Sequence, residues 1–177
     1  MILRTAADDL GANPVETLTQ LSGLWSLRFL LITLALTPFR MLFKQSGVIR
    51  YRRMLGLFTF FYSSIHLAIF IVLENSLSWP YILEDITASP TVDVGLLAYL
   101  LLIPLALTST NGMMRRLGKV WKKLHISVHA IALLSILHFV LSEKADISSP
   151  LFYGIILLVL LVVRGIFRNK KNGKPSN

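Results

Sequence analysis

Apolar residues fall into five long runs along the chain, roughly Leu21–Leu42, Met54–Leu73, Val94–Thr110, Val120–Leu141 and Leu151–Phe167, separated by short polar stretches. A hydrocarbon layer about 30 Å thick takes about 20 residues of helix, so each run reads as a membrane-spanning helix. The predicted fold is therefore an all-α integral membrane bundle of about five helices, a single domain over residues 1–177. The third run is the shortest and contains Pro104, which a bundle tolerates because neighbouring groups satisfy the backbone that proline frees. The first twenty residues carry Asp8, Asp9 and Glu16 and lack an apolar core, so no cleavable signal peptide is expected.

Composition agrees with the pattern. Hydrophobic residues make up 54% of the 177 positions and charged residues 15%, against about a quarter in soluble domains. Cysteine is absent, which excludes disulfides, thiolate-held iron–sulfur clusters and covalently attached c-type haem. The net charge of +9 raises the question of nucleic acid, but the distribution of charge answers it differently. One side of the predicted bundle receives Arg40, Lys44, Arg50, Arg52, Arg53, Arg115, Arg116, Lys119, Lys122, Lys123, Arg164, Arg168, Lys170, Lys171 and Lys174. The other receives every acid: Asp8, Asp9, Glu16, Glu74, Glu84, Asp85, Asp93, Glu143 and Asp146. By the positive-inside rule the N-terminus lies outside and the C-terminus in the cytoplasm, and the basic excess marks topology rather than nucleic-acid binding. Trp25, Trp79 and Trp121 sit at predicted interfaces, as an aromatic belt would.

The connections, Asn75–Pro90 and Ser142–Pro150 among them, are too short to build a soluble catalytic domain. No glycine-rich nucleotide fingerprint is present. Chemistry must occur inside the bundle or on a partner, which directs attention to ionisable groups at membrane depth.

All four histidines lie in predicted helices, His66 in the second and His125, His129 and His138 in the fourth. A histidine in a bundle can simply hydrogen-bond between helices. Depth argues for more. His66 stands 13 residues beyond Arg53 and His138 15 beyond Lys123, which are depths of about 20 and 22 Å. Two histidines on different helices at one depth suit a planar metal macrocycle held from both faces, the bis-histidine arrangement of b-type cytochromes. His125 lies only about 3 Å inside the basic edge and shares its helix with His138, so it could serve only a second site. No histidine on another helix stands at its level, and an ideal helix rotates the 13 residues between His125 and His138 by about 220°. Arg28, about 18 Å from the edge counted from Arg40, is a candidate partner for a haem propionate or a side chain that snorkels to the outer surface.

Several segments resemble the MsrQ (YedZ) family: Thr37-Pro38-Phe39-Arg40, Arg52-Arg53-Met54-Leu55-Gly56-Leu57, His66-Leu67 and Thr108-Ser109-Thr110. The most specific is Arg116-Leu117-Gly118-Lys119 with Trp121 and Leu124-His125, followed thirteen residues later by His138. The likeness runs from about Leu10 to Phe167. It implies a ferric-reductase-like transmembrane domain in a bacterial inner membrane, carrying haem b, one or two per chain. It also implies electrons drawn from the quinone pool or a cytoplasmic flavin reductase, with FMN associated with the family. The acceptor it implies is a periplasmic molybdopterin-containing, MsrP-like subunit that reduces methionine sulfoxide in oxidised proteins. The family's haem-linked histidines map onto His66, His125 and His138, while relatives can carry tyrosine at the position of His129. Members usually have six helices, so a first helix is expected to be absent here or to lie upstream of the assigned start. Ser89-Pro90-Thr91 replaces a basic-Pro-Tyr element, so details of partner docking do not carry over.

The expected role is thus an electron-transfer subunit rather than a catalytic one. Two alternatives share part of the evidence. Another haem transmembrane reductase, such as a ferric reductase, would differ only in its acceptor. A haem-free transporter or assembly subunit would use the histidines for packing; against it, no acid lies at the membrane centre and no inverted repeat is apparent.

Overall fold

A computed structural model describes residues 13–143 and 146–172, with side chains as far as Phe167. The charges expected at Asp8, Asp9, Arg168, Lys170, Lys171 and Lys174 lie outside the described side chains. Among the described residues the chain is helical, with no strand.

Helix α1 spans Pro14–Phe43, with Pro14 in its first turn and the Asn13 side chain accepting from the Glu16 amide at 3.3 Å. Both features suit a helix start, where the first amides have no partner of their own. A 3-10 turn, Ser46–Tyr51, leads into α2, Arg52–Ile69, which continues as a π-helical turn over Phe70–Glu74. Short α3, Trp79–Ala88, precedes α4, Pro90–Leu107. Two short helices follow, α5 Asn111–Leu117 and α6 Lys119–Leu124, separated by Gly118 at φ 50° and ψ −113°, a backbone shape that side chains disfavour. A 3-10 turn at His125–Ser127 joins α6 to α7, Val128–Ser142, and α8 spans Ser148–Asn172.

Five segments are long and apolar enough to cross a membrane: α1, Ser46–Glu74, α4, Lys119–Ser142 and Ser148–Phe167. They correspond to the five expected runs, with three additions. The connection expected over Asn75–Pro90 contains a helix, because Trp79, Ile82 and Leu83 give α3 an apolar side. The expected continuous helix over Val120–Leu141 is broken by the 3-10 turn at His125. The third span starts earlier than expected, at Pro90, and ends at Leu107, where Thr108 turns its hydroxyl back onto the Pro104 carbonyl at 2.6 Å.

Two antiparallel helix pairs make the bundle, α1 with α2 and α4 with α7, and α8 packs across α1 and α7. Small polar residues join α1 to α2: Ser26 Oγ lies 2.6 Å from Ser63 Oγ and donates to the Thr59 carbonyl at 3.2 Å, with Thr59 1% exposed. In lipid, such bonds and close backbone approach replace the hydrophobic drive that packs soluble helices. The buried core is one apolar layer: Leu27, Leu30, Leu31 and Leu34 of α1 meet Leu102 and Leu105 of α4, Val128, Ile131 and Ala132 of α7 and Leu157 of α8.

Helix direction alternates, so one end of the bundle gathers Arg40, Arg50, Arg52, Arg53, Arg115, Arg116, Lys119, Lys122, Lys123 and Arg164. The described acids gather at the other end. There the last span is fixed by Asp146, whose carboxylate accepts the Ser148 amide and hydroxyl, each at 2.8 Å. These bonds hold its carboxyl below the usual range. A carboxyl depressed in the folded state stabilises above its ordinary titration range and loses that contribution as pH falls through the depressed one. Asp146→Ala should therefore lower the thermal midpoint of the purified protein slightly at pH 7, and melts at acid pH should show the difference closing.

Candidate functional site

The two helix pairs each bring one histidine against the facing helix, near the acidic end. On α2, the His66 Nδ1–H donates to the Thr19 carbonyl of α1 at 2.9 Å. On α7, the His138 Nδ1–H donates to the Thr91 carbonyl of α4 at 2.8 Å. A carbonyl only accepts, so Nδ1 carries the hydrogen in both rings and Nε2 carries the lone pair. Among the described residues neither Nε2 forms a hydrogen bond. The ring centres lie 5.9 Å apart with planes at 87°.

The reason a helix carbonyl can accept this extra bond is local. A carbonyl points along its helix toward the residue four positions on, whose side chain would normally cover it. Here those residues are Gly23 and Gly95. A Cβ on Gly95 would stand 2.7 Å from His138 Cε1 and Nδ1, and one on Gly23 would stand 3.1 Å from His66 Nδ1. The cradle Thr-x-x-x-Gly thus occurs twice, at Thr19–Gly23 and Thr91–Gly95, each opposite its own histidine. The two pairs run in the same sense, so the repeat is parallel, not inverted. Sequence reasoning missed all four residues. The recurrence of Thr and Gly four apart near the start of the first and third spans was the available signal.

Arg28 lies nearer the cationic end than the depth count suggested. Because His66 faces Gly23, Arg28 is five residues, about 7.5 Å, below that level. The count treated Arg40 and Arg53 as equal edges, whereas the α1–α2 pairing sets Arg53 deeper than Arg40. Arg28 Nε donates to Tyr153 Oη of α8 at 2.9 Å, and its guanidinium stacks 5.0 Å from the Trp25 ring.

His125 stands apart, about 20 Å from His138 along the chain axis. Its Nδ1–H donates to the Trp121 carbonyl at 3.1 Å, and its ring stacks on Trp121 at 3.9 Å. Trp121 is itself anchored, Nε1 donating to the Thr108 carbonyl at 3.0 Å. His125 Nε2 is buried without a hydrogen-bond partner. The 3-10 turn begins at this residue, so the rotation of an uninterrupted helix does not govern where it points relative to His138. The structure brings no second histidine to it; His129 bonds the Ile126 carbonyl at 2.8 Å.

Five membrane-spanning helices with a histidine from each of two pairs facing one another define a class. Residues 22–136 match the family described as ferric reductase like transmembrane component. At 52% identity over 155 residues, the chain is similar to the protein-methionine-sulfoxide reductase heme-binding subunit MsrQ of Xanthomonas euvesicatoria pv. vesicatoria, covering 88% of this chain and 71% of the relative. Proteins of the same name from Xanthomonas oryzae pv. oryzae and Herminiimonas arsenicoxydans are 49% and 45% identical, over 90% and 99% of this chain and 73% and 82% of their own lengths. No solved structure matches. The chain belongs to the MsrQ family, and it is a multi-pass membrane protein.

The two cradles make a direct prediction. Gly95→Ala places a methyl where the His138 ring lies, and overpacking of this kind costs about 1–3 kcal/mol. Gly154→Ala meets only Ile136 Cγ2, at 3.6 Å, and should be neutral or slightly stabilising. Denaturation of both variants in one detergent would check the contrast; equal stability would show that the ring is not held against Gly95.

Proposed function

We propose that this chain is the b-type haem electron-transfer subunit of a methionine sulfoxide reductase system, with His66 and His138 as the residues that would hold one haem. The observation that carries the reading is the histidine pair itself. Two imidazole nitrogens about 2.0 Å from one metal, on opposite sides, put their ring centres about 6 Å apart. The rings of His66 and His138 are 5.9 Å apart. Both Nδ1–H groups are committed to carbonyls, which fixes the tautomer with its lone pair on Nε2 and orients the ring, as outer partners of metal-bound histidines do. The names of the relatives, heme-binding subunits, support the same group.

When bound, haem would supply reversible one-electron chemistry at its iron. The protein does the rest. Thr19 and Thr91 hold the rings, Gly23 and Gly95 make room for them, and the apolar layer of Leu27–Leu34, Leu102, Leu105 and Ile131 keeps water from the middle of the bundle. Arg28, with its Nε on Tyr153, retains N–H groups for a propionate. His125, with a buried lone pair on Nε2, is the candidate ligand of a second haem near the basic end.

The positive-inside rule places that basic end in the cytoplasm and the histidine pair in the periplasmic half of an inner membrane. Electrons would enter from quinol or a cytoplasmic flavin reductase, with FMN a further carrier. They would leave past His66 and His138 to a periplasmic molybdopterin subunit that reduces methionine sulfoxide.

Reduced-minus-oxidised absorption spectra with haem quantified per chain test the assignment. His66→Ala and His138→Ala should each remove the low-spin bis-histidine bands of one haem, while His129→Ala should keep them. His125→Ala should leave the bands of that haem intact and lower the haem count only in a two-haem protein. A full haem complement in both the His66 and His138 variants, or a colourless wild type expressed with adequate haem, would refute the reading.

A further inference from the structure

The connection from α2 to α4 is not a plain loop. It opens on two successive non-glycine residues with positive φ, Ser76 at 50° and Leu77 at 58°, a backbone shape that L side chains rarely adopt. Backbone bonds close the turn: the Asn75, Leu77 and Ser78 amides donate to the Phe70, Ile71 and Asn75 carbonyls at 3.1, 2.9 and 2.8 Å. The buried Asn75 side chain donates to the Asp85 carboxylate at 3.1 Å. A helix continuing the axis of α2 would carry Asp85 about 15 Å beyond Asn75. The contact therefore means that α3 folds back beside the end of α2.

With ten residues, α3 is about 15 Å long, half a hydrocarbon core, and cannot cross it. An apolar segment of that length is a buried helix, a re-entrant one or one that lies in the interface. Burial sorts its sides. Ile82, 6% exposed, and half-buried Ile86 stand one turn apart and face the bundle. Trp79, 73% exposed, and Leu83, 58% exposed, stand one turn apart on a neighbouring flank, which excludes a buried helix. Thr87 follows on that flank and turns its hydroxyl back onto the Leu83 carbonyl at 3.0 Å. Exposed Glu84 and Tyr81 lie about 100° and 160° round the helix from Leu83. Charge in the middle of the helix argues against a re-entrant segment, which would carry it into hydrocarbon.

We propose that α3 is an in-plane helix whose Trp79–Leu83 flank seats in the lipid interface at the acidic end of the bundle, among the glycerol groups and first methylenes of the phospholipids. A helix of this kind sinks an apolar flank about 5–10 Å and keeps its charges in water. Tryptophan suits that level, because its ring is apolar while its N–H finds a partner among the headgroups. The flank continues the lipid-facing surface of the second span, since Val72 and Leu73 at the end of that span and Leu77 in the turn are also exposed. That continuity, and the lack of charge on Trp79, Leu83 and Thr87, favour lipid over a soluble protein partner. Asn75 stands nine residues, about 13 Å, beyond His66, so the seat sets how far the histidine pair lies below the interface. The inference does not depend on the cofactor assigned to that pair.

Because the chain has no cysteine, single cysteines carrying nitroxide labels can be placed in the full-length protein and read in vesicles of phosphatidylethanolamine and phosphatidylglycerol. Leu83→Cys and Thr87→Cys report the seated flank, and Tyr81→Cys and Glu84→Cys the sides away from it. Power saturation compares collisions with oxygen, which concentrates in hydrocarbon, and with a neutral water-soluble nickel chelate present on both sides of the vesicles. Labels at 83 and 87 should favour oxygen and those at 81 and 84 the chelate, with ratios differing at least several-fold between the two sets. A wild-type thermal midpoint confirms the fold of each variant; should the label at 83 disturb the turn, the one at 87 carries the comparison. Preference for the chelate at all four positions overturns the proposal and leaves the flank free for a soluble partner. Preference for oxygen at all four, or no contrast between the sets, overturns the in-plane orientation.

Discussion

The hydrogen bond from a histidine ring nitrogen to a helix carbonyl on the neighbouring helix is the interaction around which this bundle is arranged. In hydrocarbon a polar ring needs a partner, and most backbone carbonyls are already taken by their own helix. A carbonyl has two lone pairs, however, and accepts a second bond where the side chain four residues on is missing. Thr19 and Gly23 provide this for His66, and Thr91 and Gly95 for His138. The bond sets the tautomer, so both rings are left with an uncommitted Nε2. Helix spacing follows as well, since a ring lying where a Cβ would be requires α1 and α2, and α4 and α7, to approach closely.

Along its axis the bundle is layered. The histidine pair lies near the acidic end, an apolar layer of leucines with Ile131 and Ala132 occupies the middle, and the arginine level with His125 closes the basic end. The separation has an electrostatic basis. Arg28 is the one guanidinium near the histidine pair among the described residues; the others lie about 20 Å away beside the membrane edge, where their effect on charge at the pair is weak. Among the polar residues within the apolar zone, the small ones Ser26, Thr59 and Ser63 glue α1 to α2, and each is satisfied.

The distortions of the helices fall close to histidines. The π-helical turn over Phe70–Glu74 begins four residues after His66, and the 3-10 turn begins at His125 itself. Such departures re-aim side chains relative to a regular helix. For His125 the consequence is concrete, because rotation counted along a regular helix no longer says which face it shares with His138.

The five spans, the segregation of charge and the matched depth of His66 and His138 were all legible in the sequence by itself. Each depends on a one-dimensional quantity: run length against membrane thickness, the side on which a connection falls, and residues counted from an edge. The Thr-x-x-x-Gly cradles and the true level of Arg28 were decided only by the tertiary structure. Those features depend on the register between antiparallel helices, and counting from Arg40 and Arg53 misjudged it by about one turn. Register is set by how small residues such as Gly23, Ser26 and Ser63 fit across the helix pair. Hydrophobicity constrains how far a helix reaches across the membrane; it carries no information on how one helix slides against the next.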